Sequence, residues 1–201
     1  MPRRKKSFGI PLPKDFFIYF FLSMWYTERM KYDYIRIYNK NVAFYNAHPR
    51  AKVLLCNANL FLTALFPLAY LLLWGYELFF GTANAKELLW LFFLPALALL
   101  IVSVLRIAIR RPRPYTAQGA NITPLLEKSS RDDESFPSRH ATSAAVIGTV
   151  FLHFFPAVGG LLLVASLALA YTRFALGLHY PSDLLVGLGL GTGLGCCIFF
   201  L

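Results

Sequence analysis

The chain has 201 residues, enough for one modest domain or one small membrane bundle. A hydrophobic fraction of 57%, 16% aromatic residues and a mean hydropathy of +0.53 exclude a disordered chain and argue against a soluble globule. Only 15% of residues are charged, yet 20 Lys and Arg face 10 Asp and Glu, for a net +10; so apolar and basic a chain belongs at a bilayer with anionic headgroups.

At the N-terminus, Arg3, Arg4, Lys5 and Lys6 form a basic tail ahead of the aromatic-rich segment Phe16 to Tyr26. That segment is short for a full span, and no small-residue cleavage site follows it. From Thr27 to Lys52, basic residues (Arg29, Lys31, Arg36, Lys40) mix with Tyr32, Tyr34, Ile35, Ile37 and Tyr38. The mixture predicts an amphipathic interfacial helix with basic side chains snorkelling toward headgroups. Five apolar segments follow: Leu54 to Trp74, Leu88 to Ile109, Ala141 to Phe155, Val158 to Leu176, and Leu184 to Leu201. The fold expected is an all-α transmembrane bundle of five or six spans. Residues 1–52 form a basic, interfacial or short membrane-helix region, and 53–201 form the main membrane domain.

In the last segment Gly187, Gly191 and Gly195 fall four apart on one helix face, beside Gly189 and Gly193. The stripe predicts close approach of a neighbouring helix rather than a nucleotide-binding loop. The one long polar connection is Arg110 to Phe136, and a connection of that length in a compact bundle is usually functional or disordered.

Polar residues that are costly near a span fall in three places. Arg106, Arg110, Arg111 and Arg113 follow the second apolar segment, Ser138, Arg139 and His140 open the third, and Arg173, His179 and Asp183 lie between the fourth and fifth. The third segment leaves the face of the long loop, a turn over Phe155 to Gly159 reverses the chain, and the fourth returns. All three clusters therefore meet at one membrane face. Guanidinium forks match phosphate oxygens in shape and charge. One Asp and two His make a thin divalent site, so an anion cradle without metal or other cofactor is expected.

Local chemistry sharpens this expectation. Pro137 suits a first helical turn, with Ser135 as its cap, and the N–H groups of residues 138 to 140 then seat an anion at the positive helix end. Pro181 opens the last helix just after His179. Asp183, four residues on from His179, can accept a hydrogen bond from its ring, fixing the tautomer and freeing the other nitrogen to attack.

These residues resemble the type 2 phosphatidic acid phosphatase superfamily, whose motifs read K-x6-R-P, P-S-G-H and S-R-x5-H-x3-D. Here they stand as Arg106-x6-Arg113-Pro114, Pro137-Ser138-Arg139-His140, and Thr172-Arg173-x5-His179-x3-Asp183. Arg106 replaces Lys, Thr172 replaces Ser, and Arg139 replaces Gly. The Arg139 side chain can contact a second phosphate or narrow the entrance. The resemblance implies a lipid phosphatase in which His179 attacks phosphorus to form a phosphohistidine and Asp183 orients it. His140 would protonate the leaving oxygen and later activate water. Arg106, Arg113, Arg173, Ser138 and the Arg139 amide would hold the phosphoryl oxygens. Substrates implied are a polyprenyl diphosphate, phosphatidylglycerophosphate or phosphatidic acid. A phosphotransferase, or a membrane protein that only binds lipid phosphate, uses the same residues. Nucleic acid is not an expected partner, and the oligomeric state is open.

The remaining residues have plainer readings. Arg110 and Arg111 read as headgroup anchors outside the site. His153 reads as a hydrogen-bonded packing residue in mid-span and His48 as a loop residue. Asp132, Asp133 and Glu134 read as a solvated run. Cys56, Cys196 and Cys197 fit neither a disulfide framework nor a zinc pair. The resemblance implies six spans in the plasma (inner) membrane with the site facing away from the cytoplasm; five spans would put it on the cytoplasmic side.

Overall fold

The computed structural model describes residues 35–81, 83–116, 123–126 and 134–200. The segment Phe16 to Tyr26, the basic tail, and Asp132 and Asp133 lie outside the described residues. Among those described, every regular element is helical. Helix α1 covers 35–47. It is followed by α2 (Pro49–Phe79), α3 (Ala85–Ile109), α4 (Arg139–Phe154), α5 (Pro156–Ala175) and α6 (Pro181–Gly195), which ends in a 3-10 turn, Cys196–Phe200.

Four of these helices, α2, α3, α5 and α6 with its 3-10 extension, are long and apolar enough to cross a membrane. Their outward faces carry Leu60, Phe61, Leu72, Phe92, Leu100, Leu161 and Leu185, all exposed. Unpaired apolar surface on that scale suits hydrocarbon rather than water. Helix α4 differs. Its 16 residues reach only about 24 Å at 1.5 Å per residue, and residues 144–151 are all buried. It is the central post, packed on α2, α3, α5 and α6. Small side chains (Ala141, Thr142, Ala144, Ala145, Gly148) let four neighbours reach it.

The glycine stripe acts as its spacing predicts. A Cβ on Gly187, Gly191 or Gly195 would meet the Ser138 carbonyl at 2.8 Å, the Thr142 carbonyl at 2.3 Å or Thr149 Cβ at 2.6 Å, on α4 or the residue preceding it, whereas Gly189 and Gly193 face open space. The α4–α5 reversal is tighter than the expected turn over 155–159. Phe155 alone breaks the helix, and α5 restarts at Pro156. Gly159 sits inside α5, where a Cβ would strike the Leu152 backbone at 2.2 Å.

Helix α1 leaves Arg36, Ile37 and Lys40 exposed. Its Tyr38, however, is 1% exposed. That ring packs on Gly177, whose φ of +79° lets the chain turn after α5 and whose missing Cβ leaves room for it. The Tyr38 hydroxyl donates to the Thr123 carbonyl at 2.8 Å. Helix α1 thus braces the 176–180 segment from outside the bundle.

Candidate active site

The three polar clusters meet at one end of the bundle. Arg106 ends α3, Ser138 caps α4, Arg139 and His140 form its first turn, Arg173 lies in the last turn of α5, and Asp183 in the first turn of α6. Arg106 and Arg173 at helix C-termini and Asp183 at an N-terminus suit the helix dipoles, whereas Arg139 stands at the positive end of α4. Backbone bonds fasten the pieces together. The Ser138 N–H donates to the Asp183 carbonyl at 3.0 Å, Ser135 N–H to the Arg111 carbonyl at 2.9 Å, and Leu125 N–H to the Leu176 carbonyl at 3.2 Å.

His179 and Asp183 are both buried, at 2% and 0% exposure, with Nδ1 and Oδ2 3.5 Å apart. Asp183 is held on both oxygens. Oδ2 accepts from the Ser135 hydroxyl and from the Tyr180 N–H at 3.1 Å, and Oδ1 accepts from Arg111 Nη1 at 2.6 Å. Burial pushes the His179 imidazole below its ordinary value, and the Asp183 carboxylate pulls it partly back up. With Nδ1 facing the carboxylate, Nε2 is the nitrogen left for chemistry.

Around this pair stand the guanidiniums. Arg113 Nη1 donates to the Leu178 carbonyl at 3.4 Å. Arg106 Nη1 donates to the Pro137 carbonyl at 3.3 Å, and Nη2 to the Glu134 carbonyl. Arg173 Nη2 donates to Thr63 Oγ1 at 2.8 Å. His140 lies within electrostatic reach of Arg173, His179, Arg113 and Arg106. The Nε–H groups of Arg106, Arg139 and Arg173 are buried without a hydrogen-bond acceptor. Buried guanidinium donors seldom go unmet, and an anion seated at this end of the bundle would meet them.

Two local expectations are corrected. Ser138, not Ser135, is the α4 cap: its hydroxyl accepts from the Ala141 N–H at 3.5 Å, and Pro137 precedes the helix. The Ser138 N–H is engaged by Asp183, so the first helical N–H groups open to an anion are those of Arg139 and His140. Arg111 is no headgroup anchor. Besides Asp183 it donates to Ser182 Oγ at 2.7 Å, and its guanidinium lies 4.2 Å from the Tyr180 ring centroid. Arg110 stays outside, exposed, donating to the Ile107 carbonyl.

Other residues differ in detail. Glu134 is not merely solvated; it pairs with Arg106 Nε at 3.6 Å and Arg139 Nη2 at 4.0 Å. His153 stands in the last turn of α4 against the rings of Phe154 and Phe199, at 4.9 and 5.5 Å. Sequence reasoning missed the part played by α2. Asn59 Oδ1 lies 3.3 Å from Thr172 Oγ1, and Thr63 holds Arg173. Their spacing, four apart on one helix face in a largely apolar span, was the available signal.

Beside the site opens a cleft of about 450 Å³ between α2, α3, α4 and α5. Arg139 and His140 stand at its polar end, and Phe66, Leu99, Ile147 and Leu169 form its apolar wall. Both intrahelical prolines of α2 and α3, Pro67 and Pro95, line it. Among the described residues no cluster of His, Cys, Asp or Glu could hold a metal ion.

The PAP2 superfamily model matches residues 87–200, more than half of the chain and every motif residue above. The chain belongs to the PAP2 superfamily. It is 32% identical over 103 residues to a lipid A 1-phosphatase of Rhizobium johnstonii, a match covering 51% of this chain and 42% of that protein. It therefore spans less than half the length of that relative. It is 29% identical over 140 residues to the undecaprenyl-diphosphatase BcrC of Bacillus subtilis, covering 69% of this chain and 70% of the relative. The fold matches the PAP2-type phosphatidylglycerolphosphate phosphatase of Bacillus subtilis with a TM-score of 0.68 at 24% identity, over 92% of both chains. It matches Aquifex aeolicus LpxE with a TM-score of 0.61 at 23% identity, over 77% of this chain and 88% of that one.

Proposed function

We propose that the protein is a metal-independent integral-membrane lipid phosphatase acting through a phosphohistidine. The observation that carries this reading is a buried His179 whose Nδ1 faces Asp183, with Arg113 and Arg173 within electrostatic reach of it and Arg106 within reach of His140. The depressed basicity of His179 favours the neutral imidazole that a nucleophile must be. Nε2 attacks phosphorus; a P–N bond forms as the P–O bond to the lipid breaks. His140, at the mouth of the cleft, gives the departing oxygen its proton and then takes one from the water that cleaves the P–N bond. Arg106, Arg113, Arg173 and the first N–H groups of α4 hold the equatorial oxygens where charge gathers, and Ser138 shapes that helix end. Fixed guanidinium charge supplies what a divalent ion supplies elsewhere.

The apolar cleft leading from His140 suits a lipid tail, so the substrate class is a lipid bearing a phosphate or diphosphate ester. Polyprenyl diphosphate, phosphatidylglycerophosphate and phosphatidic acid are the candidates; the first two are in keeping with the names of BcrC and of the similar Bacillus subtilis structure. On this reading α2 to α6 cross the plasma membrane five times, the short α4 held among its neighbours; a sixth crossing would face the site away from the cytoplasm, and five alone would put it on the cytoplasmic side. The test is phosphate release from these lipids in detergent, with and without EDTA. The reading expects unchanged turnover in EDTA and none above background in His179→Ala. Metal-dependent turnover, or an active His179→Ala variant, would overturn it.

A further inference from the structure

Arg139 stands apart from the other guanidiniums. It is the first residue of α4, it lines the apolar cleft together with His140, and it shares the Glu134 carboxylate with Arg106. It therefore lies between the cradle and the cleft, on the path joining a seated phosphoryl group to a lipid tail. Its Nε–H is buried without an acceptor. Its ion pair with Glu134, at 4.0 Å, is longer than a hydrogen bond, so the guanidinium can turn toward an incoming anion.

We infer that Arg139 is a specificity-determining residue that binds the lipid-proximal phosphate of a diphosphate, and that lipid diphosphates are the preferred substrates. This rests on the phosphatase reading above. When the terminal phosphoryl group sits in the cradle, the proximal phosphate falls at the polar end of the cleft, beside Arg139. Attack by His179 Nε2 on the terminal phosphorus forms the P–N bond and breaks the bond from that phosphorus to the bridging oxygen. The electron pair stays on the bridging oxygen, so a lipid monophosphate departs. The added negative charge on that leaving group is what a guanidinium fork neutralises. In a lipid monophosphate the departing oxygen belongs to an alcohol, and Arg139 has no second phosphate to hold. Glu134 keeps the fork occupied until the proximal phosphate displaces it.

The test compares farnesyl diphosphate with farnesyl phosphate, which share one tail, in detergent. Charge-assisted bonds of this kind are worth enough that Arg139→Gly should lower kcat/KM for the diphosphate about twentyfold. The diphosphate-to-monophosphate ratio of kcat/KM should fall about tenfold in the same variant, and its thermal unfolding in the same detergent reports that it is folded. Arg139→Lys, keeping charge without the fork, should recover part of the diphosphate activity. Equal losses on both substrates, or no loss on the diphosphate, would overturn the inference. A wild-type protein cleaving only the monophosphate would overturn it while leaving the phosphatase reading intact; one cleaving neither substrate nor phosphatidic acid would overturn both.

Discussion

Arg111 and Asp183 form a buried ion pair, Nη1 to Oδ1 at 2.6 Å, although Arg111 fills one of the six unspecified positions between Arg106 and Arg113 in the first motif. The pair fixes the carboxylate that faces His179, so Arg111 is a positioning residue. Removing one partner of a buried pair strands the other charge, at a cost of about 3 kcal/mol. Arg111→Ala should therefore lower the unfolding temperature in detergent. It also leaves Asp183 free to pull harder on the imidazole, which moves the acid limb of kcat/KM to higher pH. Arg111→Lys should restore most of the stability. An unchanged pH profile in Arg111→Ala would detach Arg111 from the site.

The pH dependence follows from His179 itself. Burial depresses its pKa, so the neutral imidazole persists below the ordinary value of 6.5. The acid limb of kcat/KM should lie below pH 6.5. Asp183→Asn removes the pull that raises the pKa, so the limb should move lower still as the rate falls. Stability carries the same sign: with the folded pKa below the unfolded one, this group's contribution is present above pH 6.5 and lost as pH falls through the folded value. Thermal unfolding across pH 4 to 8, in wild type and His179→Gln, measures that contribution as a difference.

Much of this was legible in the sequence, for physical reasons that can be named. Hydropathy located α2, α3, α5 and α6, because lipid-facing helices are apolar over long runs. It located α4 as well, despite its 16 residues, because a helix buried on every side is apolar too. Counting reversals placed Arg106, His140 and His179 at one end. What was not legible depends on tertiary approach. Two arginines at a helix end look alike as headgroup anchors, and only the folded loop carries Arg111 to Asp183 while leaving Arg110 outside. Ser135 and Ser138 both qualify as caps by residue type. The chain uses the nearer one for α4 and sends the other to Asp183, a contact between residues 48 apart.

The glycine stripe yields a contrast within one helix. Gly191→Ala drives a methyl group into the Thr142 carbonyl, at 2.3 Å from the ideal Cβ. Such overpacking should cost about 1–3 kcal/mol. Gly189→Ala, two residues away and facing open space, should be neutral or gain up to about 1 kcal/mol in helix propensity. Thermal unfolding of the two variants in the same detergent measures the difference. Equal effects would mean that α6 does not press its glycine face onto α4.

Thr63 on α2 orients Arg173 through a 2.8 Å bond. Thr63→Val keeps the shape and removes the acceptor. A hydrogen bond to a charged group is worth about 1.5–3 kcal/mol, so kcat/KM should fall roughly tenfold or more. Thr63→Ser should retain most of the activity. If Val and Ser behave alike, the threonine only packs.

The central claim is that the His179 imidazole takes the phosphoryl group. The most direct measurement is rapid denaturing quench of the protein turning over a lipid whose terminal phosphate carries radioactive phosphorus, followed by peptide mapping. A phosphoramidate is expected, acid-labile and base-stable, on the peptide containing residue 179 and absent from His179→Ala. Turnover with no covalent label at any time, or label that persists in His179→Ala, would contradict the account.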